Sequence, residues 1–228
     1  VVAAVEPDLK SRGHASFVVP PGTPGISQGQ KFSKMGIRAS HTAEVVLDDV
    51  RIPGRCLLGG KEKLDAKLAR AKEQQKTGEK QPAMATFEAT RPAVASMAVG
   101  IARAAYEIAL EYAHEREAFG KPIGSYQAVS FACADMEVMA QAATALVYQA
   151  AWLRDTGRPF KRQAAAAKLY ATESAVTATR MATQVFGGYG YMDETLVARQ
   201  YRDAKILEIG EGTSEVQRML IARDLGVG

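Results

Sequence analysis

The sequence is poor in the residues that build covalent cross-links. It contains only two cysteines among 228 residues. Cys56 and Cys133 lie far apart and form no C-x-x-C pattern. This spacing argues against a disulfide framework and against a structural zinc site, and it fits a reducing compartment.

Histidine is also scarce, with three residues in the whole chain. Glu111 and His114 form one Glu-x-x-His pair, the pattern that di-iron helical bundles use. A complete site of that kind needs a second pair from another helix, and the other two histidines, His14 and His41, lie in a region that reads as strands. We therefore expect no metal site.

Long apolar runs and a strongly basic surface are missing as well. No run of about 18 apolar residues occurs, so we expect no membrane span. Lys and Arg outnumber Asp and Glu by 29 to 25, and residues 61–81 carry +3 of the net charge of +4. That segment is typical of a solvated linker or an exposed helix, with a surface for an anionic partner as the alternative. No basic stripe with interleaved aromatic residues follows it, so we expect no nucleic-acid partner.

Alanine divides the chain into two compositions, with 8 alanines in residues 1–82 and 32 in residues 83–228. Residues 15–19 and 43–47 are rich in β-branched and apolar side chains and predict strands, but two or three strands do not make a stable sheet alone. The chain also begins in mid-pattern without an initiator Met. We therefore expect a piece of a longer protein, with part of a β-domain at 1–60, a charged linker or insertion at 61–82 and a helical domain at 83–228.

Apolar residues repeat with a helical period from about residue 83 onward. The predicted helices run from near residue 83 to Gly120, from Ser125 to Asp155, from Lys161 to Phe186, from Glu194 to Leu207, and from just after Gly212. Pro92 is expected in the first turn of the first helix, where proline is favoured. Ser214 and Gln217 have the spacing of a capping box. Long helices with short connections predict an antiparallel bundle.

Three stretches near helix ends could serve either structure or chemistry. The glycines of the Gln184–Tyr191 stretch can cap a helix or let a phosphate or ring approach the backbone. Arg116 can favour a helix C-terminus or clamp a pyrophosphate. Glu211 stands between two glycines and can support a helix start or act as a mobile carboxylate. Local sequence leaves each alternative open.

Taken in order along the chain, the motifs resemble those of the acyl-CoA dehydrogenase family. The matching stretches are Lys34-Met35-Gly36-Ile37-Arg38, Thr90-Arg91-Pro92, Arg116-x-x-Phe119-Gly120-Lys121-Pro122-Ile123, Tyr126-Gln127-Ala128, Gln184-Val185-Phe186-Gly187-Gly188-x-Gly190, Arg202-Asp203-Ala204-Lys205 and Glu211-Gly212-Thr213-Ser214-Glu215-x-Gln217-Arg218. The charged segment at 61–81 falls outside this resemblance and looks like an insertion.

The resemblance implies a mainly α chain, in which an antiparallel C-terminal four-helix bundle that binds flavin follows the remnant of a β-barrel-like domain. Members of the family also carry an N-terminal helical domain and the first half of the β-domain. Neither has a counterpart in this sequence. We therefore expect activity to require the N-terminal portion.

The resemblance also implies an FAD enzyme that oxidises an acyl-CoA thioester to the trans-2-enoyl-CoA. Such chemistry needs a base for the α-proton and flavin N5 as acceptor of the β-hydride. Glu211 falls on the family's catalytic position. Some relatives carry the base just before the Arg-Pro pair, where this chain has Thr90, so Glu211 is the base that the resemblance assigns. Gly210 replaces a commoner aromatic residue and suggests a bulky or branched acyl group.

Binding roles carry over from the same motifs. The resemblance assigns flavin contacts to Arg116, Phe119, Gln127, Gln184, Val185, Phe186, Gly187, Gly188, Thr213 and Glu215, and substrate contacts to Glu88, Arg91 and Gly212. In the family, the arginine and the glycine stretch serve the adenosine-diphosphate part of a neighbouring subunit's FAD. This implies a homo-oligomer, usually a dimer of dimers, and an electron-transfer flavoprotein as acceptor.

Two other functions remain open at this point. One is a flavin-dependent monooxygenase or oxidase on the same fold, against which the presence of Glu211 argues. The other is a truncated bundle that acts as a non-catalytic assembly module. The expected compartment is the cytoplasm, or the mitochondrial matrix in a eukaryote.

Overall fold

A computed structural model describes residues 1–73 and 82–227 and divides them into two units. The first unit contains residues 1–33 and 39–86, and the second contains residues 34–38 and those from 87 onward. The domain boundaries predicted at 60 and 82 stay predictions.

Short antiparallel strand pairs form the β part of the first unit. Strand β1 (Val2–Ala4) pairs with β2 (His14–Ser16), and β3 (Ile26–Lys31) pairs with β4 (Ala43–Leu47) with a register shift between Gln28 and Lys31. Strand β4 has the predicted bounds. Strand β3 was not predicted, because its sequence is polar and lacks the alternation of a half-buried strand.

The charged segment begins as helix α1 (Lys61–Glu73), which packs within the first unit. The Lys67 ammonium donates to the carbonyl oxygen of His14 at 2.8 Å. Lys72 pairs with Glu6 at 2.9 Å. Most residues of α1 are exposed, as the exposed-helix interpretation of this segment expects. The rest of the segment, 74–81, lies outside the described residues.

The second unit is helical, which confirms the predicted mainly α fold. Its helices are α2 (Pro82–Glu115, of which 82–86 belong to the first unit), α3 (Gln127–Asp155), α4 (Lys161–Phe186), α5 (Leu196–Ala204) and α6 (Ser214–Asp224). Helix α4 has the predicted bounds. Helix α5 is shorter than predicted, because residues 205–208 continue as a 3₁₀ turn.

Alanine explains how the helices approach one another. One face of α2 and one face of α4 bury alanine side chains: Ala95, Ala98, Ala102, Ala105, Ala109 and Ala113, and Ala164, Ala165, Ala167, Ala171, Ala175, Ala178 and Ala182. Small side chains lose no rotamer freedom in a helix and leave little distance between backbones. The compositional change near residue 83 therefore marks a packing requirement.

Helix α2 begins where it was predicted but departs from prediction in the position of Pro92 and at its C-terminal end. Pro92 lies in its interior, ten residues after its first residue, and not in its first turn. Proline has no N–H to donate to the carbonyl of Glu88, so the helix lacks a backbone bond there. The helix also ends at Glu115, because residues 117–122 turn back as a hairpin of β5 (Glu117–Ala118) and β6 (Lys121–Pro122).

Helix α2 is also apolar. Its residues Thr86–Glu115 are long and apolar enough to cross a bilayer by length and composition alone. Core helices of globular proteins pass the same test, and the buried alanine face of α2 belongs to the bundle core. Helix packing therefore explains the alanine face of α2.

A short segment from the first third of the sequence packs on the helical unit. The backbone N–H of Ile37 donates to the Asp203 carboxylate at 2.6 Å. A Cβ on Gly36 would lie 2.4 Å from the carbonyl oxygen of Arg202. This contact requires glycine at position 36, and it joins two of the motifs that carry the family resemblance.

Candidate active site

The loop before α6 holds Glu211 in an unusual backbone conformation. Glu211 has φ 57° and Gly212 has φ 96°, so two successive residues are left-handed. For a residue other than glycine this conformation costs about 1 to 2 kcal/mol. Surrounding contacts must therefore hold the turn in place.

The Glu211 carboxylate faces helix α2. The Thr90 hydroxyl donates to Glu211 Oε2 at 2.7 Å. Positions 90 and 211 are the two that the family resemblance offers for a catalytic base. A hydrogen bond joins them although they are 121 residues apart in sequence.

Buried side chains fix the backbone of the same turn. Lys168 on α4 is fully buried, and its Nζ donates to the carbonyl oxygen of Gly212 at 2.8 Å. Gln217 is also fully buried, and its Nε2 donates to the same oxygen at 2.8 Å and to the carbonyl oxygen of Glu211 at 3.4 Å. These donors replace water around the turn.

The capping box predicted at Ser214 is wrong by one position. Helix α6 does begin at Ser214, but the residue that caps it is Thr213, whose hydroxyl oxygen accepts from the backbone N–H of Val216 at 3.4 Å. Gln217 cannot complete a box because its side chain reaches back to the turn. Glu215 follows in the first turn, where its own N–H and the Thr213 hydroxyl lower the pKa of its carboxyl.

A buried guanidinium lies beside this acid. Arg91 is 3% exposed, and its Nε has no hydrogen-bond partner among the described residues. Burial lowers the pKa of Arg91, while the charges of Glu88 and Glu211 act to raise it. Glu88 itself is half-buried and lies 3.6 Å from the ammonium of Lys161. Arg91 thus lies close enough to both Glu88 and Glu211 to feel their charges, and Gly212 follows the acid in the chain.

A second group of predicted residues lines an open cavity of about 600 Å³ at the other end of the bundle. Its lining includes Arg116 and the Val185–Gly188 stretch. Tyr112 stacks on Phe186 with ring centroids 4.0 Å apart. The Arg116 guanidinium lies over the Tyr189 ring at 5.9 Å. An exposed cation, aromatic faces and glycine backbone suit a planar group that carries phosphates.

The remaining predicted flavin contacts lie outside that lining. Phe119 forms the tip of the β5–β6 hairpin, is 96% exposed and meets Tyr126 edge-on. Gln127 is exposed as the first residue of α3, and Gln184 is exposed near the end of α4.

Helix geometry separates the two groups. Lys168 lies beneath the Glu211 turn and Phe186 at the second cavity, and both belong to α4. Eighteen residues of helix span about 27 Å. The two groups of residues therefore lie at separate places along α4.

Comparison with known proteins agrees with this geometry. The family model described as "Acyl-CoA dehydrogenase, C-terminal domain" matches residues 81–226. The chain belongs to the acyl-CoA dehydrogenase family. The match extends past the end of α6, so it includes the Glu211 turn and the second cavity.

Individual relatives of the same family match nearly the whole chain. A probable acyl-CoA dehydrogenase of Bacillus subtilis, YngJ, is 46% identical over 211 residues, which are 92% of this chain and 52% of that protein. The structure of butyryl-CoA dehydrogenase from Megasphaera elsdenii has a TM-score of 0.86 and 41% identity, and the match covers 99% of this chain and 55% of that one. An FAD complex of PigA has a TM-score of 0.84 and 28% identity over 99% of this chain and 55% of that one. The chain thus spans about half the length of the relatives it matches.

Sequence analysis missed the residues that support the acid. Lys168 falls on the buried alanine face of α4, and a lysine there was a signal that the periodicity could have revealed. Gln217 was assigned to helix capping. Tyr112 and Tyr189, which contribute the aromatic faces of the second cavity, carried no distinguishing pattern.

The two glycines that flank Glu211 should respond differently to alanine. A Cβ at Gly212 would have to adopt φ 96° and would lie 2.9 Å from Gln217 Nε2, so Gly212→Ala should lower the free energy of unfolding by about 1 to 2 kcal/mol. A Cβ at Gly210 meets only the carbonyl oxygen of Ile206, at 3.4 Å, so Gly210→Ala should change it by less than about 0.5 kcal/mol.

Urea unfolding of both variants beside the wild-type protein measures this difference. Equal losses in the two variants would contradict the conformation described for the turn.

Proposed function

We propose that the protein of which this chain is part oxidises an acyl-CoA thioester to the trans-2-enoyl-CoA, with Glu211 as the base that removes the α-proton. The observation that carries the proposal is the 2.7 Å hydrogen bond between Thr90 and Glu211. This bond joins positions 90 and 211, the two positions at which members of the family carry the base. It therefore supports the proposal that both positions belong to one catalytic site.

The surrounding residues suit a carboxylate that takes a proton from carbon. The Thr90 hydroxyl orients one oxygen of the Glu211 carboxylate. The bond from Lys168 to the Gly212 carbonyl limits movement of the backbone next to Glu211. A base whose position is fixed within hydrogen-bond distance of the proton it removes reacts faster, because the rate of proton transfer depends steeply on geometry. Arg91 adds a buried positive charge near the same acid.

FAD is the proposed cofactor, and when bound it supplies the acceptor for the β-hydride. The residues present fit one end of it: Arg116 for the pyrophosphate, Gly187 and Gly188 for close approach, and Tyr112 with Phe186 as apolar neighbours. Thr213 and Glu215 suit polar contacts at the N-terminus of α6.

The separation of about 27 Å along α4 supports a homo-oligomer. The second cavity lies too far from Glu211 to hold the same cofactor's reacting ring, so we infer that it serves the FAD of another subunit. Phe119, exposed at the hairpin tip, and Gln127 and Gln184 on the surface are available for that contact. A dimer of dimers satisfies this arrangement, and an electron-transfer flavoprotein is the proposed acceptor.

Gly210 bears on the acyl group. Its backbone does not require glycine, because no positive φ is imposed and a Cβ would make only ordinary contact. A missing side chain next to the base therefore points to a need for space. A similar structure is that of a butyryl-CoA dehydrogenase, which supports a short acyl chain, and Gly210 supports branching or bulk on it.

Replacing the base should stop turnover and leave the cofactor in place. In the full-length protein, Glu211→Gln keeps an oxygen that accepts from Thr90 but cannot take a proton, so kcat should fall at least about 100-fold. Bound FAD, read from the absorption spectrum, should stay at the wild-type level. Glu107→Gln is the matched control, because Glu107 is exposed on α2 and pairs with Arg103 one turn away on the same helix. Retained turnover in Glu211→Gln would refute the assigned base.

Filling the space at position 210 should change substrate preference. In full-length Gly210→Tyr, kcat/KM for a branched short-chain acyl-CoA should fall at least about tenfold relative to the straight-chain isomer, because an added ring takes the volume of the branch. The ratio of the two kcat/KM values in each protein is the measurement. A wild-type enzyme that oxidises straight short chains alone would contradict the role of Gly210.

A further inference from the structure

Lys168 is a charged side chain that is not exposed to solvent. It is the largest side chain that is completely buried in the described residues, and it lies on α4 among alanines. Its Nζ donates to the carbonyl oxygen of Gly212 at 2.8 Å. An ammonium group loses its hydration when buried and needs strong compensation.

Hydrogen bonds to the Gly212 carbonyl can restrain the backbone that carries the Glu211 carboxylate. Gly212 directly follows Glu211, and both residues have positive φ. Its carbonyl oxygen lies where the chain leaves the second left-handed residue, so a bond to that oxygen restrains the backbone beside the acid. The oxygen accepts from both Lys168 and Gln217. The Lys168 bond is charge-assisted, which makes it the stronger of the two.

We propose that Lys168 is a positioning residue for the reaction, one that holds the Glu211–Gly212 turn in its left-handed conformation so that the Glu211 carboxylate stays against Thr90. This inference rests on the proposed function. Lys168 does not touch the reacting atoms; it acts through the Gly212 carbonyl.

The charges around Lys168 are consistent with this role. Burial lowers the pKa of the ammonium, and Arg91 lowers it further, while the carboxylates of Glu208, Glu173 and Glu211 act to raise it. The acid that it positions therefore also helps to keep Lys168 charged.

Lys168→Met in the full-length, FAD-loaded protein separates positioning from folding. Methionine is unbranched and apolar, so it fills the buried space, and the Gly212 oxygen keeps the Gln217 donor. Arg162→Met is the matched control, because Arg162 is a cation on the same helix whose pair with Asp224 is exposed. Three quantities are measured for each protein: kcat per bound FAD, KM, and amide hydrogen exchange of residues 209–214.

Lys168→Met should lower kcat at least about tenfold while KM stays within about twofold, since small displacements of a catalytic group cost that much in rate. Exchange in 209–214 should accelerate in this variant and not in Arg162→Met. Unchanged exchange would overturn the proposal, and so would faster exchange with an unchanged kcat per FAD.

The wild-type and control proteins distinguish this inference from the function on which it rests. Acyl-CoA oxidation by both, with a normal kcat in Lys168→Met, would overturn the positioning role alone. A wild-type protein that oxidises no acyl-CoA would overturn the proposed function, and with it the catalytic consequence of Lys168. The exchange measurement would then still decide whether Lys168 holds the turn.

Discussion

One backbone carbonyl, that of Gly212, organises the region around the candidate base. Two buried donors, Lys168 and Gln217, meet at its oxygen, each at 2.8 Å. They secure a conformation that Glu211 would otherwise avoid, because a left-handed residue with a side chain is strained. The residue with the proposed chemistry is one of five residues other than glycine with positive φ in the described chain, and contacts from α4 and α6 maintain its conformation.

The alanine-rich bundle makes that arrangement possible. The alanine faces of α2 and α4 belong to one buried core, and Lys168 extends from α4 to the carbonyl oxygen of the turn. The same long helices separate the acid from the second cavity by about 27 Å. That separation is the physical basis for proposing that each subunit contributes to two cofactor sites.

Much of the architecture could be predicted because helices are encoded locally. The glycine and proline residues that flank α4 marked its limits, and the change in alanine content marked where the helical part begins. Errors arose where tertiary contacts override local preference. Pro92 sits inside α2 next to the buried Arg91, and residues 34–38 join the helical unit through Asp203. Strand β3 is polar and lacks alternating apolar residues, so the sequence did not predict it.

The candidate site was predictable only in part, for a related reason. The motif around Glu211 proposed an acid, and the structure places Thr90 and Arg91 of the Arg-Pro stretch near it. The bond to Thr90 and the donors from Lys168 and Gln217 are long-range contacts that no spacing rule contains. Gln217 in particular was misassigned because its spacing from Ser214 imitates a cap, whereas Thr213 supplies the cap.

The most direct measurement concerns the α-proton itself. An acyl-CoA analogue with sulfur in place of the β-carbon can lose its α-proton but cannot give up a β-hydride. We expect the full-length, FAD-loaded protein to exchange that proton for deuterium in heavy water, and Glu211→Gln to show only the solvent background. Exchange by Glu211→Gln at the wild-type rate would contradict the account, because the proton would then leave through a group other than the acid that the turn holds.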